Sequence, residues 1–225
     1  SLVKKNPGAI PTDYPREPGS NAVEHTDTVE VTFDANLTRA LFEDVLRGSQ
    51  AQVTEVFLFA LASAWRTVTG CDRLFLELEG HGRESNRLDL ARTVGWCTAL
   101  YPALIELEQS DIHAGLESVK NQLRQIPSRG VGYGLLRYLN PVTKDDLKAA
   151  SMPEICFNYA GRFSQREIRL QALDMAPTVQ LPHILTLEGA LFTDELHFQW
   201  VFSKRLHHKA TIQTLSDAFT QTLRE

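Results

Sequence analysis

Four ionisable side chains crowd the run Glu79-Gly80-His81-Gly82-Arg83-Glu84, where two glycines allow a tight backbone path. A carboxylate whose pKa is raised by burial serves as a general acid or base near neutral pH, and Arg83 can hold a second carboxylate or an oxyanion. The same run also reads as a solvated turn, because short clusters of glycine and charge are common between strands. His81 alone fits no metal or triad pattern.

Two further runs are unusual: Arg92-Thr93-Val94-Gly95-Trp96, and Pro127-Ser128-Arg129-Gly130-Val131-Gly132-Tyr133-Gly134 with its alternate glycines. The second lacks the Lys-Ser/Thr of a phosphate loop and follows a helix instead of a strand, which argues against nucleotide binding and for a glycine-lined channel wall. Asn158 and Tyr159 can donate hydrogen bonds into a cleft from a strand end, or simply cap that end. Adjacent His207 and His208 open a well-known acyl-transfer motif, but Lys209-Ala210-Thr211-Ile212-Gln213 follow with no Asp-Gly. They are expected at the entry to the last helix, where a His can face solvent. Cys97 beside Trp96 reads as a small buried hydrophobe with no positioned base.

Composition limits the chemistry further. The 225 residues are 43% apolar, enough for a packed core in one domain or two. A net charge of −5 with interspersed signs offers no basic stripe for nucleic acid. Cys71, Cys97 and Cys156 lack both metal-ligand spacing and the density of a disulfide framework, so reduced thiols and a cytoplasmic location are expected. No h-region and no run of roughly 18 apolar residues marks secretion or a membrane span. The chain opens without Met into a Pro-rich stretch, as a linker inside a longer protein would, and is expected to be a fragment.

The elements that must position these residues follow from periodicity. Residues 1–27 read as an extended linker wrapping a surface, and organised structure is expected over 28–225. Val29, Val31 and Phe33 alternate as on a strand; a helix capped at Asp34 or Asn36 carries Leu37, Leu41 and Val45 and stops at Gly48. Residues 54–69, apolar almost all round before Gly70, form a buried helix. Residues 73–79 alternate Leu74, Leu76 and Leu78 against Phe75, Glu77 and Glu79, placing Glu79 at a strand end. A strand at 99–107 precedes a helix from Ser110 to Pro127 whose Ile112, Leu116, Val119, Leu123 and Ile126 form a core stripe. A short strand at 154–159, a hairpin of 184–191 with 195–203, and a helix bearing Ile212, Leu215, Phe219 and Leu223 complete an α/β or α+β sandwich with helices covering a sheet.

In this order, the runs resemble the late motifs of the epimerization domains of nonribosomal peptide synthetases. The Glu-Gly-His-Gly-Arg-Glu run is complete at 79–84, Arg-Thr-Val-Gly-Trp at 92–96 with Tyr101-Pro102 in its tail, and Pro-x-x-Gly-x-Gly-Tyr-Gly at 127–134. The fourth motif stands as Phe157-Asn158-Tyr159-Ala160-Gly161-Arg162-Phe163, departing from the usual pattern at Ala160 and Arg162, and Cys97 replaces a usual Phe. The family's His-His-x-x-x-Asp-Gly motif is missing, so the chain resembles only the C-terminal half of such a domain.

The resemblance implies an α/β two-layer sandwich, one half of a chloramphenicol-acetyltransferase-like fold whose active site lies in a channel between two halves. It implies inversion at Cα of an aminoacyl or peptidyl thioester carried on the phosphopantetheine of a carrier protein, in antibiotic and secondary-metabolite biosynthesis. Glu79 would be one acid–base group and a His of the absent N-terminal half the other. Arg83 would orient or ion-pair near Glu79, and Asn158 with Tyr159 would hold the thioester or its enolate. His81, Trp96, Gly132 and Tyr133 would line the channel. No metal or directly bound cofactor is implied. The partners would be the N-terminal half and the carrier protein, with no nucleic acid and no membrane. An amide-forming condensation half and a non-catalytic carrier-docking module are the alternatives. The cleft face of an isolated half is expected to favour self-association.

Overall fold

The computed structural model describes residues 10–83, 90, 92–108, 111–164 and 175–225. Strand β1 (Thr26–Phe33) starts two residues ahead of the expected Thr28, because Thr26 and Asp27 pair with Ser203 and Phe202 far along the chain. Asp34 caps α1 (Ala35–Ala40), its carboxylate accepting from the amides of Asn36 and Leu37 at 2.9 Å each. The single helix expected up to Gly48 is three pieces: α1, a π-helical turn over Leu41–Val45, and α2 (Leu46–Ser49). The wider turn resets the helical phase. The side chain of Val45 lies outside the described residues.

Helix α3 (Val53–Thr69) is buried on most sides, as its composition predicts, with every residue from Glu55 to Ala62 buried. Glu55 Oε2 accepts from the Gln52 amide at 2.7 Å at one end. Gly70 takes a left-handed φ of 73° at the other. Strands β2 (Arg73–Gly80) and β3 (Ala99–Glu106) pair antiparallel. Asp111 caps α4 (Ile112–Arg124); the expected start at Ser110 lies outside the described residues. Helical turns at Pro127–Gly130 and Leu135–Leu139 and the short α5 (Lys144–Ala149) follow, none foreseen from periodicity. Strands β4 (Ile155–Phe163), β5 (Leu185–Phe192) and β6 (Glu195–Ser203) lead to α6 (Lys209–Arg224).

The six strands form one mixed sheet in the order β1-β6-β5-β4-β2-β3, with β4 parallel to both β2 and β5. From β2 the chain runs to the edge strand β3 on one side and returns as β4 on the other. Leu74, Leu76, Leu78, Phe157, Leu187 and Trp200 belong to the core that packs against α3 and α6. Phe198 sits near its centre, meeting Phe33, Phe57 and Phe219 edge-on with ring centroids 6.1, 4.9 and 4.9 Å away. This is the expected two-layer arrangement, helices over one face of a sheet.

Of the extended segment expected over residues 1–27, residues 10–27 are described; the last two begin β1 and those before them are tied down. The Ile10 amide and the Arg16 guanidinium both bond Glu154, and the amides of Asp13 and Tyr14 donate to the Leu206 carbonyl. This tether explains a correction at the helix entry. His208 is exposed, but His207 is only 4% exposed beneath the tether, its ring nitrogens making no hydrogen bond among the described residues. Burial lowers the His207 pKa, opposed by Asp13 at 3.8 Å and reinforced by Arg16. A histidine with a depressed folded-state pKa takes up its proton more readily when unfolded. Its contribution therefore erodes as pH falls below about 6.5, the unfolded value. Urea midpoints should drop between pH 7.5 and pH 5.5, and His207→Leu should shrink that drop.

Candidate active site

The parallel neighbours β2 and β4 share only two paired positions, Glu77 with Cys156 and Leu78 with Phe157. Beyond them a cavity of about 830 Å³ opens. In open sheets, such crevices at the carboxyl ends of parallel strands are where ligands bind. Glu79 and His81 enter it from β2 and its following loop, and Asn158 and Tyr159 from β4. Glu55 and Leu58 of α3 form the opposite wall.

Glu79 is half-buried, and its pKa is raised first by burial and then by the charge of Glu77. That combination moves a carboxyl toward the range useful for proton transfer. Glu188 lies two strands away on the same face, beside Asn158 in the register of β4 and β5. Its pKa is raised too, by burial and then by Glu79. The row continues through Gln199 to Glu30, joined by a 2.9 Å hydrogen bond from Gln199 Nε2 to Glu30 Oε1. Burial, with added repulsion from Glu77, Glu79 and Glu188, pushes the Cys156 thiol up to about 12, so this cysteine stays a neutral thiol. Tyr159 is pushed up to about 12 by burial, against a lowering influence of Arg162, and remains a neutral donor. Its ring packs on Phe57 at 5.1 Å.

Asn158 and Tyr159 do not stand at a strand end as the sequence suggested. Strand β4 runs on to Phe163, and its register with β5 shifts between Tyr159 and Arg162, where Gly161 takes φ 90°. The bulge re-aims this stretch toward the cavity.

Arg83 is also placed differently. Its guanidinium donates to the carbonyls of Leu90, Thr93 and Gly95 at 2.9, 2.9 and 3.1 Å. It staples one motif to the next and, among the described residues, makes no ion pair with Glu79. Gly82 packs directly against that loop: at its φ of 65°, a Cβ would sit 1.5 Å from the Cys97 carbonyl oxygen. Held this way, the loop turns its tip outward, so Trp96 is 88% exposed and does not line the cavity. Cys97 is half-buried, not fully buried.

Gly132 likewise lines no part of the cavity, and Tyr133 lines a neighbouring one. In that run Gly130 is the constrained glycine, its backbone pressed on the Tyr101 ring where a Cβ would lie 2.0 Å from the ring carbon Cδ1. Glu84 lies outside the described residues.

The structure adds residues that local sequence did not single out. Arg124 Nε lies 3.2 Å from Glu55 Oε1, pairing residues 69 apart at the cavity wall, and Arg129 and Tyr101 also face it. A lone acid at the start of an apolar helix was the readable signal for Glu55; nothing local signals Arg124. Among the described residues no three His, Cys, Asp or Glu side chains are grouped to hold a metal, and no helix is long and apolar enough to cross a membrane.

A family profile described as "Condensation domain" matches residues 3–225. The chain belongs to the condensation-domain family. This condensation-family domain is 36% identical over 230 residues to a linear gramicidin synthase of Brevibacillus parabrevis, an alignment that takes in 96% of the chain and 3% of that protein. It is 32% identical to surfactin synthase subunit 1 of Bacillus subtilis (strain 168), over 93% of the chain and 6% of that protein. Among solved structures, it is similar to the epimerization domain from the third module of tyrocidine synthetase B, with TM-score 0.86 and 28% identity over 96% of this chain and 50% of that one. A trichothecene 15-O-acetyltransferase from Fusarium sporotrichioides shares the fold at TM-score 0.68 and 13% identity, over 99% of this chain and 50% of that one. The chain thus spans half the length of these structures and a few per cent of the synthases, and its fold is of the acyltransferase-like condensation type.

Two outcomes follow from the geometry. Gly82→Ala should cost about 2 kcal/mol or more, through backbone overlap and a strained φ, read as a lower urea midpoint. Glu79→Gln removes a like charge facing Glu188, so the Glu188 carboxyl should titrate at lower pH, measured by carbon-detected NMR.

Proposed function

We propose that this condensation-family domain supplies one of two opposed acid–base groups that invert Cα of an aminoacyl or peptidyl thioester. The observation that carries the reading is Glu79: a half-buried carboxyl with a raised pKa, at the mouth formed where β2 and β4 part. The likeness to an epimerization domain at TM-score 0.86 supports it.

The thioester acidifies the α-proton. Removing that proton from one face builds enolate charge on the thioester oxygen, and returning a proton to the other face completes inversion. Glu79 serves one face. On this proposal a His from the N-terminal half serves the other, each group acting as base in one direction and acid in the reverse. Asn158 and the neutral Tyr159 hydroxyl are the donors available to the developing oxyanion. The substrate arrives on the phosphopantetheine of a carrier protein, and the reaction as drawn uses no cofactor bound by this chain. Arg83 acts at a distance by fixing the loop beside Glu79.

Amide formation is the second reading, favoured by the description of the family profile. The two separate in one experiment on the chain joined to the N-terminal half of its parent: solvent-deuterium incorporation at Cα of a carrier-bound aminoacyl thioester. Exchange should require both halves and fall at least roughly 100-fold in Glu79→Gln. Amide product without exchange favours condensation. Carrier binding with neither reaction leaves a docking module.

A further inference from the structure

A second cavity, of about 710 Å³, adjoins the first, and Thr98 lines both. Glu79 faces one and Glu77 the other. These side chains lie on one face of β2, two residues or about 7 Å apart. The second cavity has a buried polar floor, where Glu77 Oε2 meets His183 Nε2 at 3.0 Å. Its sides include Leu139 and Tyr138, which are 72% and 62% exposed, together with Leu135, Tyr133 and Met152. Exposed apolar groups gathered around a concave surface mark a ligand site more often than scattered ones do.

The polar groups of this cavity are paired only in part. Glu77 meets His183, and Arg137 Nη1 donates to the Leu147 carbonyl and, at 3.4 Å, to the Tyr133 hydroxyl, while Arg137 Nε makes no hydrogen bond among the described residues. A cationic guest would leave water for walls whose carboxylate, Glu77, already meets His183, whereas an apolar guest would cover Leu135, Leu139 and Tyr138. We propose that this second cavity receives the side chain of the residue whose Cα is inverted, and that it selects apolar and aromatic side chains.

The inference rests on Glu79 being the acid–base group. A Cα held at that carboxyl stands about two strand residues from the Glu77 floor, the reach of an aromatic side chain. The thioester and its donors then occupy the first cavity while the side chain fills the second. The floor pair marks the depth limit, since an intruding ring must stop at a buried polar contact whose loss would leave its groups unpaired.

Gly134 provides the test. It lines the cavity with helical backbone angles (φ −60°, ψ −38°), and a Cβ there would meet nothing within 4 Å, so a larger side chain enters the cavity without backbone strain. The two-half protein would be assayed for solvent-deuterium incorporation into phenylalanyl and alanyl thioesters on the carrier protein. Gly134→Phe should lower the phenylalanyl-to-alanyl ratio of kcat/KM at least tenfold, chiefly through KM for the phenylalanyl substrate, and Gly134→Ala should move it less. An unchanged ratio in a folded Gly134→Phe protein overturns the proposal, as does equal loss for both substrates, which is expected if another protein surface covers the cavity.

A binding arm separates this result from the role of Glu79. Phenylalanyl-pantetheine should shift the NMR lines of His183 and Tyr133 in the wild type and in Glu79→Gln, but not in Gly134→Phe. If Glu79→Gln retains full exchange, the acid–base reading fails, and the cavity is then judged on these shifts alone. Absence of shifts in the wild type also overturns the proposal.

Discussion

Two strands part after only two paired positions, and the site depends on that brevity. Had β2 and β4 stayed in register to their ends, the amides and carbonyls around Glu79 and Asn158 would have closed the crevice with ladder hydrogen bonds. Instead β2 pairs with β3 as far as Gly80, and β4 pairs with β5. Each strand keeps one neighbour, so the sheet stays cohesive while the gap between them remains open. Backbone hydrogen bonding leaves few groups unpaired in a folded protein, and here the surviving partners make a crevice tolerable without unravelling the sheet. The bulge after Tyr159 completes the effect by turning β4 where it leaves its neighbour.

The face of the sheet opposite α3 and α6 carries a row of carboxyls. Glu77, Glu79 and Glu188 share that face, where Glu77 meets His183, and burial raises the pKa of the other two, with a further push on Glu79 from Glu77 and on Glu188 from Glu79. The proton inventory of the face is thus a property of the sheet register, which sets the carboxyls side by side, as much as of any single residue.

Much of this was legible in the sequence where periodicity is strong. The alternation of residues 73–79 gave the strand, its buried face and the end position of Glu79; the apolar run before Gly70 gave the buried helix. The failures have physical causes. The helix expected through Gly48 broke into a π-helical turn, a local rewinding that a periodic pattern tolerates without advertising. His207 was expected in water and is buried, because its cover comes from Asp13, Tyr14 and Arg16, nearly 200 positions earlier. Arg124 reaches the cavity only through the packing of α4 on α3. Trp96 sat in a motif close to Glu79 in sequence, yet loop geometry set by Gly82 and Arg83 turns it outward. Motif membership located the neighbourhood, whereas side-chain direction needed the fold.

The staple made by Arg83 has a further consequence. A guanidinium keeps its proton at any pH the protein survives, and its three acceptors are peptide carbonyls, which have no proton to gain or lose. The side-chain part of this hold on the loop beside Glu79 is therefore indifferent to acidity, while the Arg83 amide adds a separate bond to His81 Nδ1 at 3.0 Å. Those three carbonyl bonds brace the rim without drawing on any group that titrates near neutral pH.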